Sequence, residues 1–224
     1  MATSAFEKYA ALAWPYQFHG VLHVERICGG IPSDPNVAEA WIKSKLSSAD
    51  DLLRQQVAEV MLERGITKEE ASAEIRKNRH LNGFKQDPEH GLYVEGRQLK
   101  AGIKEAVSVA VAAGKIRQTG WGNTRKNLAA FVAEHVGVVE DRLYLGVSEP
   151  TGIQQHFPHT YKGTGIQYTE YVDDADIHFT VRTDWNFEPK DWALIWLTGE
   201  QQGLGAGRSM GYGRYTVTKW EPQH

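Results

Sequence analysis

The sequence predicts an α+β fold in which helices cover one face of a mostly antiparallel sheet. Two observations lead to this prediction. Strand-like segments alternate apolar and polar residues, as in DIHFTVRTD, where Ile177, Phe179 and Val181 fall on one face. Between these segments lie others with apolar residues at helical spacing. Helices and strands therefore alternate through two halves of the chain.

The N-terminal third combines one long strand with helical segments. Residues 10–27 are apolar and aromatic with partial alternation, and they predict a long, bent first strand. The turn residues of segment 29–36 predict a loop. Residues 37–46 and 50–78 carry apolar side chains at helical spacing. We therefore expect a helical insertion at about 37–80.

The centre of the chain predicts a strand followed by a long helix. Residues 79–91 are polar and predict a loop. Residues 92–94 predict a short strand, and Gly96 predicts the turn into the helix. The helix, up to residue 116, presents a stripe of apolar residues three and four positions apart: Leu99, Ile103, Ala106, Val107 and Ala110. A glycine-rich basic loop follows at 117–127.

The remaining segments complete a pattern of two similar halves. They are, in order, a helix at 128–136, a strand at 138–146, a loop at 149–165, two strands within 166–184 joined by a turn at 173–174, a helix at 189–202 and a strand at 214–221. This order predicts a single domain over residues 1–224, a ferredoxin-like α+β sandwich modified by the helical insertion.

Composition and charge restrict the classes of protein to consider. The chain has 224 residues, 41% hydrophobic and 24% charged, with a net charge of -3 and one cysteine. We expect a globular cytoplasmic protein without an internal disulfide, and no contact with a membrane. Residues 76–126 carry 11 Lys and Arg against 4 Asp and Glu, and the rest of the chain is net acidic. This asymmetry is typical of an anionic partner, or of acidic and basic faces that meet between subunits; a solvated helix face is the alternative.

The densest pattern is GLGAGRSMGYGRY at residues 203–215. Glycines let a backbone approach a ligand closely and leave amides free for phosphate oxygens, while arginine and tyrosine add charge and a stacking surface. The candidate binding residues here are Gly205, Gly207, Arg208, Ser209, Gly211, Tyr212, Gly213 and Arg214. A tight connection that merely packs a helix against a sheet is the alternative.

Basic residues in the central segment form two further candidate groups. Arg97, Lys100 and Lys104 lie in the first turns of the predicted helix, whose N-terminus attracts phosphate. The following loop combines cations with an aromatic residue in a way suited to a single strand: Arg117, Trp121, Arg125 and Lys126.

Two of these segments together resemble a known superfamily. One is a helix followed by GxGxxRSxGYGR and a last strand, and the other is YVEGRQLKAGIKEA at residues 93–106. Together they resemble the RAMP superfamily. Its members are RNA-recognition-fold proteins that build the backbone of CRISPR effector complexes. The resemblance covers most of the chain outside 37–80, and a divergent phage or mobile-element relative fits it as well. The chain departs from the family's small serines at Arg97 and Gln98.

The resemblance implies an RNA-recognition fold that holds an RNA backbone in a groove. Arg97, Lys100 and residues 203–214 would contact it. The implied role is a repeating, non-catalytic subunit of a ribonucleoprotein that binds guide-type single-stranded RNA, with DNA still open. The implied partners are further copies of the chain arranged head to tail and other subunits. No cofactor and no metal are expected.

Two other functions stay open from the residues. An endoribonuclease on the same scaffold would use His23 on the first strand, or Asp34 in the loop after it, for general acid–base cleavage. A structural protein would assemble through protein contacts alone and bind no nucleic acid.

Overall fold

The structure is a computed structural model that describes residues 10–30, 61, 62, 65, 67, 81–116, 128–156, 159, 160, 163, 164 and 167–223. The helices and strands within these residues are, in chain order, α1 (Ala10–Ala13), β1 (Tyr16–Cys28), β2 (Leu81–Asn82), β3 (Lys85–Asp87), β4 (Gly91–Glu95), α2 (Gly96–Ala112), α3 (Leu128–His135), β5 (Val136–Val138), β6 (Arg142–Tyr144), β7 (Gly152–His156), β8 (His159–Thr160), β9 (Gly163–Thr164), β10 (Gln167–Thr183), α4 (Pro189–Gln202), a 3-10 turn (Arg208–Met210) and β11 (Tyr215–Gln223).

Contacts divide the chain into two compact units. The main unit consists of residues 1–27, 86–149 and 172–224, and the second unit of residues 28–85 and 150–171. Strand β10 contributes its longer C-terminal part to the main unit. That the chain is one domain with a helical insertion stays a prediction.

The sheet of the main unit has the strand order β11–β1–β10–β5. The pairs β1–β11 and β10–β5 are antiparallel. The chain visits the elements as β1, α2, β5, β10, α4 and β11, so each half is a strand, a helix and a strand. This is the ferredoxin-like order of elements, and the predicted α+β class is confirmed.

Alternation along β10 separates a buried face from an exposed one. Ile177, Phe179 and Val181 are fully buried, whereas His178 between them is exposed. The Phe179 ring lies 5.4 Å from the ring of Trp196 on α4, measured between centroids. A methyl group at Gly20 of β1 would overlap the Phe179 ring. The α4 side of the sheet is therefore a closely packed aromatic core.

Helix α2 buries the stripe that its sequence predicts. Its buried residues are Gly96, Leu99, Ile103, Ala106, Val107 and Ala110. The helix packs against α3 and α4. Because the apolar stripe is buried in this packing, the basic residues in the first turns of α2 remain at or near the surface.

The second unit is built on residues 167–171 of β10. Strand β2 pairs with this segment in parallel and β7 pairs with it antiparallel. The Glu170 carboxylate accepts a hydrogen bond from the Phe84 amide at 3.2 Å. Burial raises the pKa of Glu170, and the Phe84 N–H opposes that shift.

The predicted turn at residues 173–174 is wrong, since β10 runs through it as one continuous strand. Asp174 has a φ of 53°, a left-handed conformation that aspartate tolerates better than most residues. Val172 and Ala175 are both buried although they are three residues apart. The buried face therefore shifts by one residue between Val172 and Ala175, as it does at a β-bulge. Arg26 donates to Asp173 at 2.6 and 2.9 Å and holds it within the sheet.

Other boundaries also differ from the prediction. Segment 10–27 begins with helix α1. The strand predicted at 138–146 is interrupted: its residue 138 is the last of β5, which pairs with β10, and residues 142–144 form β6, which pairs with β4. Residue 136, predicted as the end of a helix, is the first residue of β5. The loops predicted at 79–91 and 149–165 contain short strands, because neighbouring strands supply pairing partners that local sequence does not reveal. The predicted helices at 37–46 and 50–78 fall almost wholly outside the described residues.

Candidate nucleic-acid interface

Helix α2 begins where β4 ends, and a glycine makes this connection possible. The Gly96 amide donates to the Asp141 carbonyl at 2.9 Å, and a side chain at this position would overlap the Glu140 carbonyl oxygen. The close approach fixes the start of α2, and with it the direction of the first basic residues.

The first turns of α2 carry three cations on neighbouring faces. Arg97, Lys100 and Lys104 are spaced three and four residues apart. Arg97 is 78% exposed and forms an ion pair with Glu95, the residue that precedes the helix. Lys100 is half-buried and Lys104 is exposed. The three residues thus form a basic strip along the first half of the helix.

The glycine loop between α4 and β11 is closed at its base by backbone hydrogen bonds. The Leu204 amide donates to the Gly213 carbonyl at 2.8 Å, and the Gly213 amide donates to the Arg26 carbonyl of β1 at 2.8 Å. A side chain at Gly213, where φ is 73°, would overlap the Leu204 carbonyl oxygen. The loop is therefore anchored to the sheet at Gly213 and requires glycine there.

The tip of the loop has a different character from its base. Gly207 and Gly211, with φ values of 70° and 89°, flank the 3-10 turn Arg208–Met210. A side chain at Gly211 would meet nothing within 4 Å. The Tyr212 ring lies close to Gly207, so Tyr212 takes part in packing the loop. Arg208, Ser209 and Arg214 are exposed, and Gly205 is half-buried.

An ion pair joins the loop tip to α2. Arg208 Nη1 lies 2.6 Å from Glu105 Oε2, and the two side chains are 37% and 47% exposed. The pair lies beside an open cleft of about 500 Å³. The cleft is lined by Glu105, Gln201, Gln202, Gly205, Gly207, Arg208 and Ser209. The structure thus connects the glycine loop to the helix that carries the basic strip.

Some predicted binding residues cannot be placed in this surface. Arg117, Trp121, Arg125 and Lys126 lie outside the described residues. Among the described residues, the structure brings the glycine loop next to α2, where Glu105 pairs with Arg208. Glu105 was not among the predicted site residues. It is the one acidic residue of α2, and only its contact with Arg208 shows that it belongs to this region.

The candidates for acid–base catalysis are only partly described. Asp34 lies outside the described residues. His23 Nδ1 lies 2.8 Å from Asp176 Oδ1, and the His19 ring stacks on the His178 ring with centroids 5.7 Å apart. These side chains lie on β1 and β10, away from the glycine loop in sequence. Within the described ranges, no three His, Cys, Asp or Glu residues are grouped closely enough to hold a metal ion.

Asp87 organises the turn that leads into β4. Its Oδ1 accepts hydrogen bonds from the amides of Glu89 and His90 at 3.0 and 3.2 Å, and its Oδ2 pairs with Arg142 of β6. The hydrogen bond from the Glu89 amide, followed by that from the His90 ring, lowers the pKa of Asp87. The carboxylate is thus occupied by structural contacts.

The lowered pKa of Asp87 predicts a pH-dependent contribution to stability. Since the folded state holds the carboxylate in its charged form, the contribution is present above the ordinary pKa of 3.8 and is lost as pH falls through the lowered value. We expect Asp87→Asn to be less stable than the parent at neutral pH, with the difference shrinking below about pH 4. Urea unfolding at several pH values measures it. A difference that does not change with pH would contradict the assignment.

Solved structures include chains that are similar to this one. A chain of the cryo-EM structure of the Type III-B Cmr-beta bound to cognate target RNA is similar to this chain, with a TM-score of 0.48 and 13% sequence identity. The match covers 96% of this chain, which spans only 63% of the solved one. No family model and no curated protein matches the sequence. Among the residues that the structure describes, no helix is long and apolar enough to cross a membrane.

Proposed function

We propose that this chain binds single-stranded RNA, through phosphate contacts, on a surface formed by the first turns of α2 and the glycine loop. One observation carries the proposal: the loop is anchored at Gly213 and its tip, with Arg208, is held against the helix that carries the basic strip. Arginine and lysine side chains and backbone amides are groups that commonly contact nucleic-acid phosphates.

The proposal extends to the role that the motif resemblance implies. The chain would be a RAMP-type, non-catalytic subunit that repeats head to tail along a guide-type RNA. The charge distribution supports this arrangement, since the basic segment 76–126 of one copy can face the acidic C-terminal part of the next. Such a subunit needs no cofactor for binding.

Size-exclusion chromatography of the untagged full chain, with absorbance read at 260 and 280 nm, tests this role. We expect a large particle with excess absorbance at 260 nm that RNase, but not DNase, reduces in size. A particle sensitive to DNase alone would change the ligand to DNA. An oligomer free of nucleic acid would favour the structural protein, and RNA shortened during incubation would favour the endoribonuclease.

A further inference from the structure

The glycine loop carries its own anionic competitor. Glu105 on α2 binds the Arg208 guanidinium at 2.6 Å, next to the cleft that Gly205, Gly207 and Ser209 help to line. Resting on the proposed function, we propose that Glu105 and an RNA phosphate compete for Arg208. Glu105 would then set the affinity of the loop, and phosphate binding would break the Arg208–Glu105 ion pair.

The chemistry of the two anions makes this exchange feasible. A carboxylate and a phosphodiester each carry one negative charge and offer two oxygens to the planar guanidinium. The two side chains of the existing pair are 37% and 47% exposed. A pair as exposed as this one changes an equilibrium constant by only about 1.4- to 5-fold, so a phosphate with additional contacts can displace Glu105.

The position of Glu105 supports competition rather than mere surface pairing. The acidic side chain directly follows Lys104, in a helix whose other charged residues are Arg97, Lys100 and Lys104. Consecutive residues of a helix point about 100° apart, so Glu105 flanks the strip and does not lie on it. On that flank the Glu105 carboxylate reaches Arg208, so its effect on a bound phosphate would act through the shared guanidinium.

The loop is also built so that its tip can move independently of its base. The base is fixed by the hydrogen bonds of Leu204 and Gly213. The tip is a short 3-10 turn between Gly207 and Gly211, both in the left-handed region where glycine is unstrained. Breaking the Arg208–Glu105 pair therefore need not disturb the connection between α4 and β11.

A double-mutant cycle tests the competition. Fluorescence anisotropy with a labelled oligouridine would be measured for the parent chain, Glu105→Gln, Arg208→Ala and the combined variant, at about 50 mM salt. We expect Glu105→Gln to bind about 1.4- to 5-fold more tightly than the parent. In the Arg208→Ala background the same change should have almost no effect, because the contested cation is absent.

Glu149→Gln is the matched control, since Glu149 is exposed and lies outside both α2 and the loop. It measures the general effect of removing one negative charge. An equal gain from Glu105→Gln with and without Arg208 would overturn the competition and indicate a long-range charge effect. Unchanged or weaker binding by Glu105→Gln also overturns it, and weaker binding would mean that Glu105 positions Arg208. All of these results leave the proposed function standing. Absence of binding by the parent would contradict both the proposed function and the competition.

Discussion

Replacing Gly213 with alanine is expected to lower the free energy of unfolding by about 2–5 kcal/mol. Two costs combine. With φ at 73°, any residue with a Cβ is strained by about 1–2 kcal/mol. The new methyl group would also overlap the Leu204 carbonyl oxygen, and such overpacking typically costs about 1–3 kcal/mol. Urea denaturation followed by circular dichroism measures the change.

Gly211→Ala is the matched control for this substitution. Gly211 also has a positive φ, 89°, but its Cβ would meet nothing within 4 Å. Only the conformational cost of about 1–2 kcal/mol should therefore appear. If the two variants were equally destabilised, the close contact between Gly213 and Leu204 would not be what anchors the loop.

Removing both arginines of the loop is expected to weaken RNA binding by at least about tenfold at low salt. Arg208→Ala with Arg214→Ala deletes two charge-assisted contacts, and a hydrogen bond to a charged group is worth about 1.5–3 kcal/mol when it is well formed. Arg208 contributes less than the full amount because Glu105 already engages it. Anisotropy titration with a labelled oligouridine measures the loss.

A second double variant distinguishes local contacts from overall charge. Lys190→Ala with Lys219→Ala removes the same charge at exposed positions that pair with Glu188 and Glu221. We expect this variant to lose far less affinity than the arginine variant. Equal losses would show that net charge, and not the glycine loop, determines binding.

The parts of the fold that follow from local pattern could be predicted from the sequence. The stripe of α2 is correct because residues three and four apart on a helix must share a face. The alternation around Phe179 is correct for the corresponding reason in a strand. The turn at Asp173 and Asp174 is wrong because aspartates favour turns locally, and the cross-strand contact with Arg26 is invisible in one sequence.

The candidate site, too, could be predicted only in part from the sequence. Glycine content and arginines marked the loop, but which glycine is required depends on contacts made after folding, at Leu204 and Arg26. Glu105 could be found only once the loop was seen on α2, more than a hundred residues away in sequence. Glu200 is similar, since its carboxylate accepts the Val217 amide of β11 at 2.9 Å without any local motif.

The salt dependence of RNA affinity shows whether the arginines of the glycine loop bind phosphates. The dissociation constant of the full chain for a labelled oligouridine would be measured between about 50 and 200 mM salt, for the parent and for the Arg208→Ala, Arg214→Ala variant. We expect affinity to fall steeply with salt. The logarithmic slope of the variant should be shallower by about 1.4, which corresponds to two phosphate contacts on a single strand. Binding that is absent, or a slope that both proteins share, would contradict this expectation.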